Sequence, residues 1–215
     1  MIELSGIYKR YGKDWLFENF SIAFPEGQIS VLIGPSGIGK TTILRLIAGL
    51  EPYEKGSISG IGQQKISFVF QEDRLLPWLS LGENIELVLK ASMTKEEAQA
   101  KSRQVLATLD LADAWHMMPA ELSGGMQRRG SIGRAMAYDG DIFLLDEPFK
   151  GLDEALKGEI LPKLADSWHK AGKTVIMVTH DLKDARELAN NLYELEQGRL
   201  TDAWCEVRGP AENSE

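Results

Sequence analysis

Cysteine is almost missing from this 215-residue chain, and Cys205 is the only one. A single thiol makes neither an internal disulfide nor a cysteine-built metal site, which points to a reducing compartment. Long apolar runs are missing as well. The longest, such as Ile142–Leu145, are a handful of residues, whereas a membrane-spanning helix needs about 20. The opening residues Met1-Ile2-Glu3-Leu4-Ser5 lack the basic region and apolar stretch of a signal peptide, so a soluble cytoplasmic protein is expected. Excess positive charge is absent too: 24 Lys and Arg against 32 Asp and Glu leave a net charge of −8. That balance argues against a uniformly basic nucleic-acid surface. There is no internal repeat and no low-complexity stretch. What remains is 43% hydrophobic and 26% charged, enough to bury a core. The length suits one domain, or one domain with a lobe inserted.

The order of patterns is α/β. Ile2–Ile7 and Asn19–Phe24 are β-rich, and Ile29–Ile33 is a short apolar run of strand length. A glycine loop follows. Thr41–Ala48 then places Ile43, Leu44 and Ile47 on one helical face, with Gly49 as a stop. Ile66–Phe70 is another strand after a turn at Gly60–Gln63. From Leu81 to Met136 the patterns are helical with almost no strand signal. Thr94-Lys95-Glu96-Glu97 has the form of a capping box, opening a helix to about Leu109. Ile142–Leu145 and Thr174–Val178 return to strands, with helices over Glu154–Ala171 and Asp181–Asn190. Leu192–Glu206 reads as a hairpin turning at Gln197-Gly198, and 209–215 as a frayed polar tail.

Gly34-Pro35-Ser36-Gly37-Ile38-Gly39-Lys40-Thr41 matches the P-loop pattern in full, between a strand and a helix. Backbone amides that converge on one anion need glycines free of Cβ clashes. The following helix presents its positive end to the same anion. Lys40 adds a full charge for the β- and γ-phosphates, Thr41 a hydroxyl suited to Mg²⁺, and Thr42 a further hydroxyl. Downstream, Ile142–Leu145 runs into Asp146 and Glu147, two carboxylates at the carboxyl end of a strand, where ligands of such sheets bind. Asp146 suits the magnesium shell, and Glu147 suits a general base for attacking water. An enzyme that hydrolyses a nucleoside triphosphate follows from these residues alone.

Leu122-Ser123-Gly124-Gly125-Met126-Gln127-Arg128-Arg129 resembles the signature of ATP-binding cassette (ABC) proteins. The resemblance covers essentially the whole chain. It implies a P-loop ATPase core with an antiparallel β subdomain and an inserted helical subdomain at about 72–136. Gln71 resembles the Q-loop glutamine, which contacts the metal and the attacking water. Gly151-Leu152-Asp153 resembles the D-loop and His180 the switch histidine. Tyr11 resembles the aromatic that stacks on adenine, with Tyr8 as a rival three residues away. By the same resemblance, Ser123, Gly124 and Gly125 face the γ-phosphate held by a second ATPase subunit. Each ATP, with its Mg²⁺, is then sandwiched between two chains. Read on its own, Ser123 is also simply a helix cap, and so is Asp153.

The apolar loop Leu75-Leu76-Pro77-Trp78 after Gln71 has two readings: burial in the helical lobe, or a grip on a helix of a membrane partner. With Met126 after the signature glycines, the stretch is similar to ATPases of importers for nitrate, sulfonate, taurine and thiamine precursors. That resemblance implies transmembrane permease subunits, a solute-binding protein in the complex, and a place on the cytoplasmic face of the cell membrane. It also implies no nucleic-acid partner. The alternative is a soluble cassette protein of DNA or ribosome processes, disfavoured by the short insert and the negative charge. A P-loop kinase or GTPase is disfavoured by the signature and by His180. Lys150 stands where a small or hydroxyl residue usually precedes Gly151. Gly130 and Gly133 fall inside the helix after the signature, each costing about 1 kcal/mol relative to Ala.

Overall fold

Two sheets share one core in the computed structural model, which describes residues 1–196 and the backbone of 199–204. Strands β1 (Ile2–Tyr11), β2 (Asp14–Phe24) and β4 (Lys55–Ser59) form an antiparallel sheet in the order β2-β1-β4. A six-stranded sheet joins β3 (Ile29–Ile33), β5 (Ile66–Val69), β6 (Ile142–Asp146), β7 (Thr174–Val178), β8 (Asn191–Glu196) and β9 (Arg199–Trp204). Its order is β5-β6-β7-β3-β8-β9, parallel except for β9. Every residue of β3, β6 and β7 is buried. Continuous apolar runs are what a strand covered on both faces requires.

Each face of the parallel sheet has its own hydrophobic cluster. On one, Leu32, Leu144, Ile176 and Val178 meet helix α1 (Lys40–Ile47) and the antiparallel sheet through Ile43, Leu44, Phe17 and Phe24. On the other, Val31, Phe143, Leu145 and Val175 meet helices α2 (Leu81–Glu86), α3 (Lys95–Thr108), α4 (Gly124–Tyr138), α5 (Glu154–Lys170) and α6 (Leu182–Leu188). The expected capping box is present: Thr94 Oγ1 accepts from the Glu97 amide, and the Glu97 carboxylate accepts from the Thr94 amide.

Gly130 and Gly133 now have a physical account. A Cβ on Gly130 would lie 2.5 Å from Leu81 Cδ1 of α2. One on Gly133 would lie 3.0 Å from Leu109 Cδ1 and 3.3 Å from Ile85 Cδ1. Close helix packing therefore offsets the propensity cost of both glycines. The expected strands at 2–7 and 19–24 extend to Tyr11 and start at Asp14. The apolar loop divides between its two readings. Leu75 packs against the core, while Trp78 is 69% exposed. The hairpin turn at 197–198, Cys205 and the tail lie outside the described residues. Among the described residues, no helix is long and apolar enough to cross a membrane.

Candidate active site

Parallel pairing brings four strand ends to one edge. Leu32 pairs with Val178, Val178 with Asp146, and Leu145 with Val69. The loops that follow carry Gly34, His180, Glu147 and Gln71 respectively, so residues far apart in sequence meet where ligands of such sheets bind.

The P-loop geometry depends on its glycines. Gly34 and Gly39 have φ of 146° and 110°. Their missing Cβ atoms would sit 2.5 Å from Leu195 O and 2.4 Å from Phe17 Cζ. Gly39 caps α1 without any side-chain hydrogen bond, so the first amides of the helix stay open. Lys40 lies under the loop and donates to Gly34 O at 2.7 Å and Pro35 O at 2.9 Å. Burial pulls its pKa down, and the nearby Glu147 and Asp146 carboxylates oppose that.

A cleft over this loop is lined by Tyr11, Ser36, Gly37, Gly39, Lys40, Thr41, Thr42, Gln71, Asp146 and Glu147, with Leu16 and Val178. Thr41 Oγ1 donates to Asp146 Oδ1 at 3.1 Å. Burial raises the Asp146 pKa, while the Thr41 bond opposes it. The hydroxyl and the carboxylate are hard oxygen donors, the kind Mg²⁺ takes alongside phosphates and water. Among the described residues there is no group of three or more His, Cys, Asp or Glu side chains able to hold a metal. Glu147 sits in the left-handed region, φ 51°. His180 Nδ1 lies 2.9 Å from both Glu147 carboxylate oxygens. Tyr11 is half exposed, and its hydroxyl is 3.3 Å from Thr42 Oγ1. Tyr8 instead packs edge-on against Trp15.

The signature residues are elsewhere. Ser123 caps α4 by accepting from the Met126 amide at 3.3 Å, and Gly124 and Gly125 line a second cleft with Gln71, Glu72, Asp73, Arg128, Lys150 and Gly151. Asp153 caps α5, accepting from the Leu156 amide at 2.9 Å. Among the described residues, Gln71 lines both clefts.

Two of the buried cations that the sequence reading passed over bear on the site. Arg128 on α4 gathers the carbonyls of Phe70, Asp146, Glu147 and Pro148. Its signal was present, since Arg128 shares a helical face with buried Ile132 and Ala135. Lys157 on α5 bonds Asp181 Oδ2 at 2.9 Å and Asp184 Oδ1 at 3.1 Å, next to His180.

Comparison with known proteins shows the family. The ABC transporter family model matches residues 17–150. The taurine import ATP-binding protein TauB of Shigella boydii is 36% identical over 205 residues, covering 92% of this chain and 80% of that one. The aliphatic sulfonates import ATP-binding protein SsuB of Yersinia pestis is 37% identical over 205 residues, covering 93% and 74%. Among solved structures, the dimeric bacterial ABC transporter cassette MJ0796 superposes with a TM-score of 0.88 at 31% identity, covering 97% of this chain and all of that one. A post-hydrolysis state of that cassette, bound to ADP and Pi, superposes equally well. With its P-loop, paired carboxylates and separate signature face, the chain belongs to the ABC transporter family, as one of its ATP-hydrolysing cassettes.

Proposed function

We propose that this chain powers import across a membrane by closing on ATP as one half of a pair and reopening after hydrolysis. One observation carries the chemistry: Glu147 is held by His180 at 2.9 Å, beside the Thr41–Asp146 pair at the mouth of the P-loop. Tyr11 stacks on adenine. The amides of 34–42 and Lys40 take the phosphates, and Lys40 exchanges its two carbonyl partners for phosphate oxygens. Thr41, Asp146 and Gln71 would hold Mg²⁺, which when bound would neutralise phosphate charge. Glu147 accepts the proton of the attacking water, and His180 fixes that carboxylate while reaching the γ-phosphate. Ser123, Gly124, Gly125 and Asp153 of the second copy complete the site, because they are set apart from the P-loop of their own chain. A dimeric relative supports that arrangement.

Residues 72–136 act as the inserted helical subdomain, and the exposed Trp78 grips a permease subunit at the cytoplasmic face of the membrane. A solute-binding protein completes the importer. Relatives named for import of taurine and of aliphatic sulfonates support small organosulfonates as the solute class. The test is a tagged pull-down from membranes in mild detergent, with partners identified by mass spectrometry. Recovery of a multi-spanning protein, weakened by Trp78→Ala, is expected. Recovery of ribosomes or DNA-bound proteins without a membrane partner would overturn the reading.

A further inference from the structure

The Arg128 guanidinium joins three parts of the machinery that the sequence keeps far apart. It is 4% exposed, and its donors are fully used. Nε donates to Pro148 O at 2.9 Å. Nη2 donates to Asp146 O at 2.6 Å and Glu147 O at 2.7 Å. Nη1 donates to Phe70 O at 2.6 Å and Asp73 Oδ1 at 3.1 Å, with Gln71 O at 3.3 Å sharing a proton. Guanidinium has five N–H donors in a fixed plane, so this set of acceptors occupies all of them. Most are main-chain carbonyls, and they come from two segments. One ends in the carboxylates Asp146 and Glu147, and the other carries Gln71.

The consequence for Glu147 is local. A glutamate at φ 51° sits in a sparsely populated region that persists only where its surroundings impose it. Its own N–H donates to Val178 O at 2.9 Å. Arg128 holds the carbonyls of the residues before it, after it and its own. The peptide planes on either side of Glu147 are thus fixed from α4. That helix is capped by Ser123, five residues before Arg128, with Gly124 and Gly125 in its first turn. The residue that fixes Glu147 is therefore rigidly tied to the helix end that faces the second cleft.

We propose that Arg128 is a positioning residue that sets the Glu147 carboxylate and the Gln71 loop from the signature helix. Through it, docking of α4 against the other copy's nucleotide aligns this chain's own water-activating group. The proposal rests on the hydrolytic reading above. Lysine keeps the charge and most of the bulk but offers a point charge in place of a planar fork, so Arg128→Lys separates the two roles. In Arg128→Lys, kcat for ATP falls about tenfold or more, because small misplacement of a catalytic group is costly. ATP affinity at the P-loop, measured with a fluorescent ATP analogue, stays within about twofold. Combined with Glu147→Gln, the variant still forms the ATP-bound dimer that Glu147→Gln forms alone.

A wild-type kcat in Arg128→Lys overturns the proposal. So does a loss of affinity and dimerisation as steep as the loss of kcat, which marks a merely structural role. If Arg128→Lys does not fold, Asp73→Asn decides. Removing that one charged anchor lowers kcat about threefold at unchanged affinity, and an unchanged kcat overturns the proposal. Failure of the wild-type chain itself to hydrolyse ATP would instead remove the hydrolytic reading.

Discussion

The two clefts of this molecule both present glycines at the start of a helix and differ in what surrounds them. The P-loop cleft adds a lysine, two carboxylates, hydroxyls and Gln71 to its glycine amides. The signature cleft offers the Ser123-capped first turn of α4, where a Cβ on Gly124 would meet nothing within 4 Å, and Lys150, which has no ion pair among the described residues. On the proposed reading, one side carries the groups that break the bond and the other contributes amides and a lysine, so each chain holds two half-sites that a head-to-tail pair would complete.

Four substitutions and one control test that division, taken from the largest expected effect downward. Glu147→Gln should lower hydrolysis by about 10³-fold, the middle of the range for a general base, and leave ATP binding intact. Size-exclusion chromatography with ATP should then show an accumulated dimer. A variant that stays monomeric where the wild type pairs would break the comparison. Gly124→Asp attacks the other side. There is room for the side chain, and a carboxylate at a helix N-terminus does not destabilise the helix. It repels the partner's phosphate, so hydrolysis should fall by about 10²-fold while the melting temperature and P-loop affinity hold. Equal loss of ATP affinity would show that the clefts are not separate.

Tyr11→Ala sharpens the comparison within the P-loop cleft. Loss of a stacking ring should weaken ATP about tenfold in equilibrium binding. Tyr8→Ala should leave binding unchanged, because Tyr8 packs on Trp15 instead. Lys150→Ser is the mildest. An exposed lysine beside the signature glycines should assist closure through screened attraction, so hydrolysis should slow about twofold at low salt and recover at high salt. Rates unchanged at both would remove Lys150 from the account of closure.

Much of the site was legible because its chemistry is local. A P-loop is consecutive residues between a strand and a helix, and Asp146 and Glu147 simply end an apolar strand. The signature glycines and the helix caps at Thr94, Ser123, Asp153 and Asp181 are likewise short-range. The unread parts depend on partners without sequence signatures. Strand β4 is exposed along Lys55–Ser59 and lacks apolar alternation, so only its pairing with β1 makes it a strand. Arg128 is bonded mainly to carbonyls, which every residue possesses. Gly130 and Gly133 became intelligible only once Leu81 and Leu109 were found against them.

The Lys157 cluster beside His180 has a consequence for acid. The Lys157 bond holds the Asp181 carboxyl below its ordinary range. Its stabilisation is therefore complete above that range and is lost as pH falls through the lower folded value. Burial pushes Asp184 the other way, above its ordinary range, against the pull of the same lysine. Acidification removes a stabilising charge at Asp181 and relieves a costly one at Asp184. Burial lowers the Lys157 pKa, but its carboxylate bonds outweigh that and leave it raised, so it stays charged throughout the acid range. The joint between α5 and the histidine loop thus carries two opposite proton linkages around one ammonium, met in turn as pH falls: acid first relieves Asp184, and only below the ordinary carboxylate range does it cost the Asp181 bond.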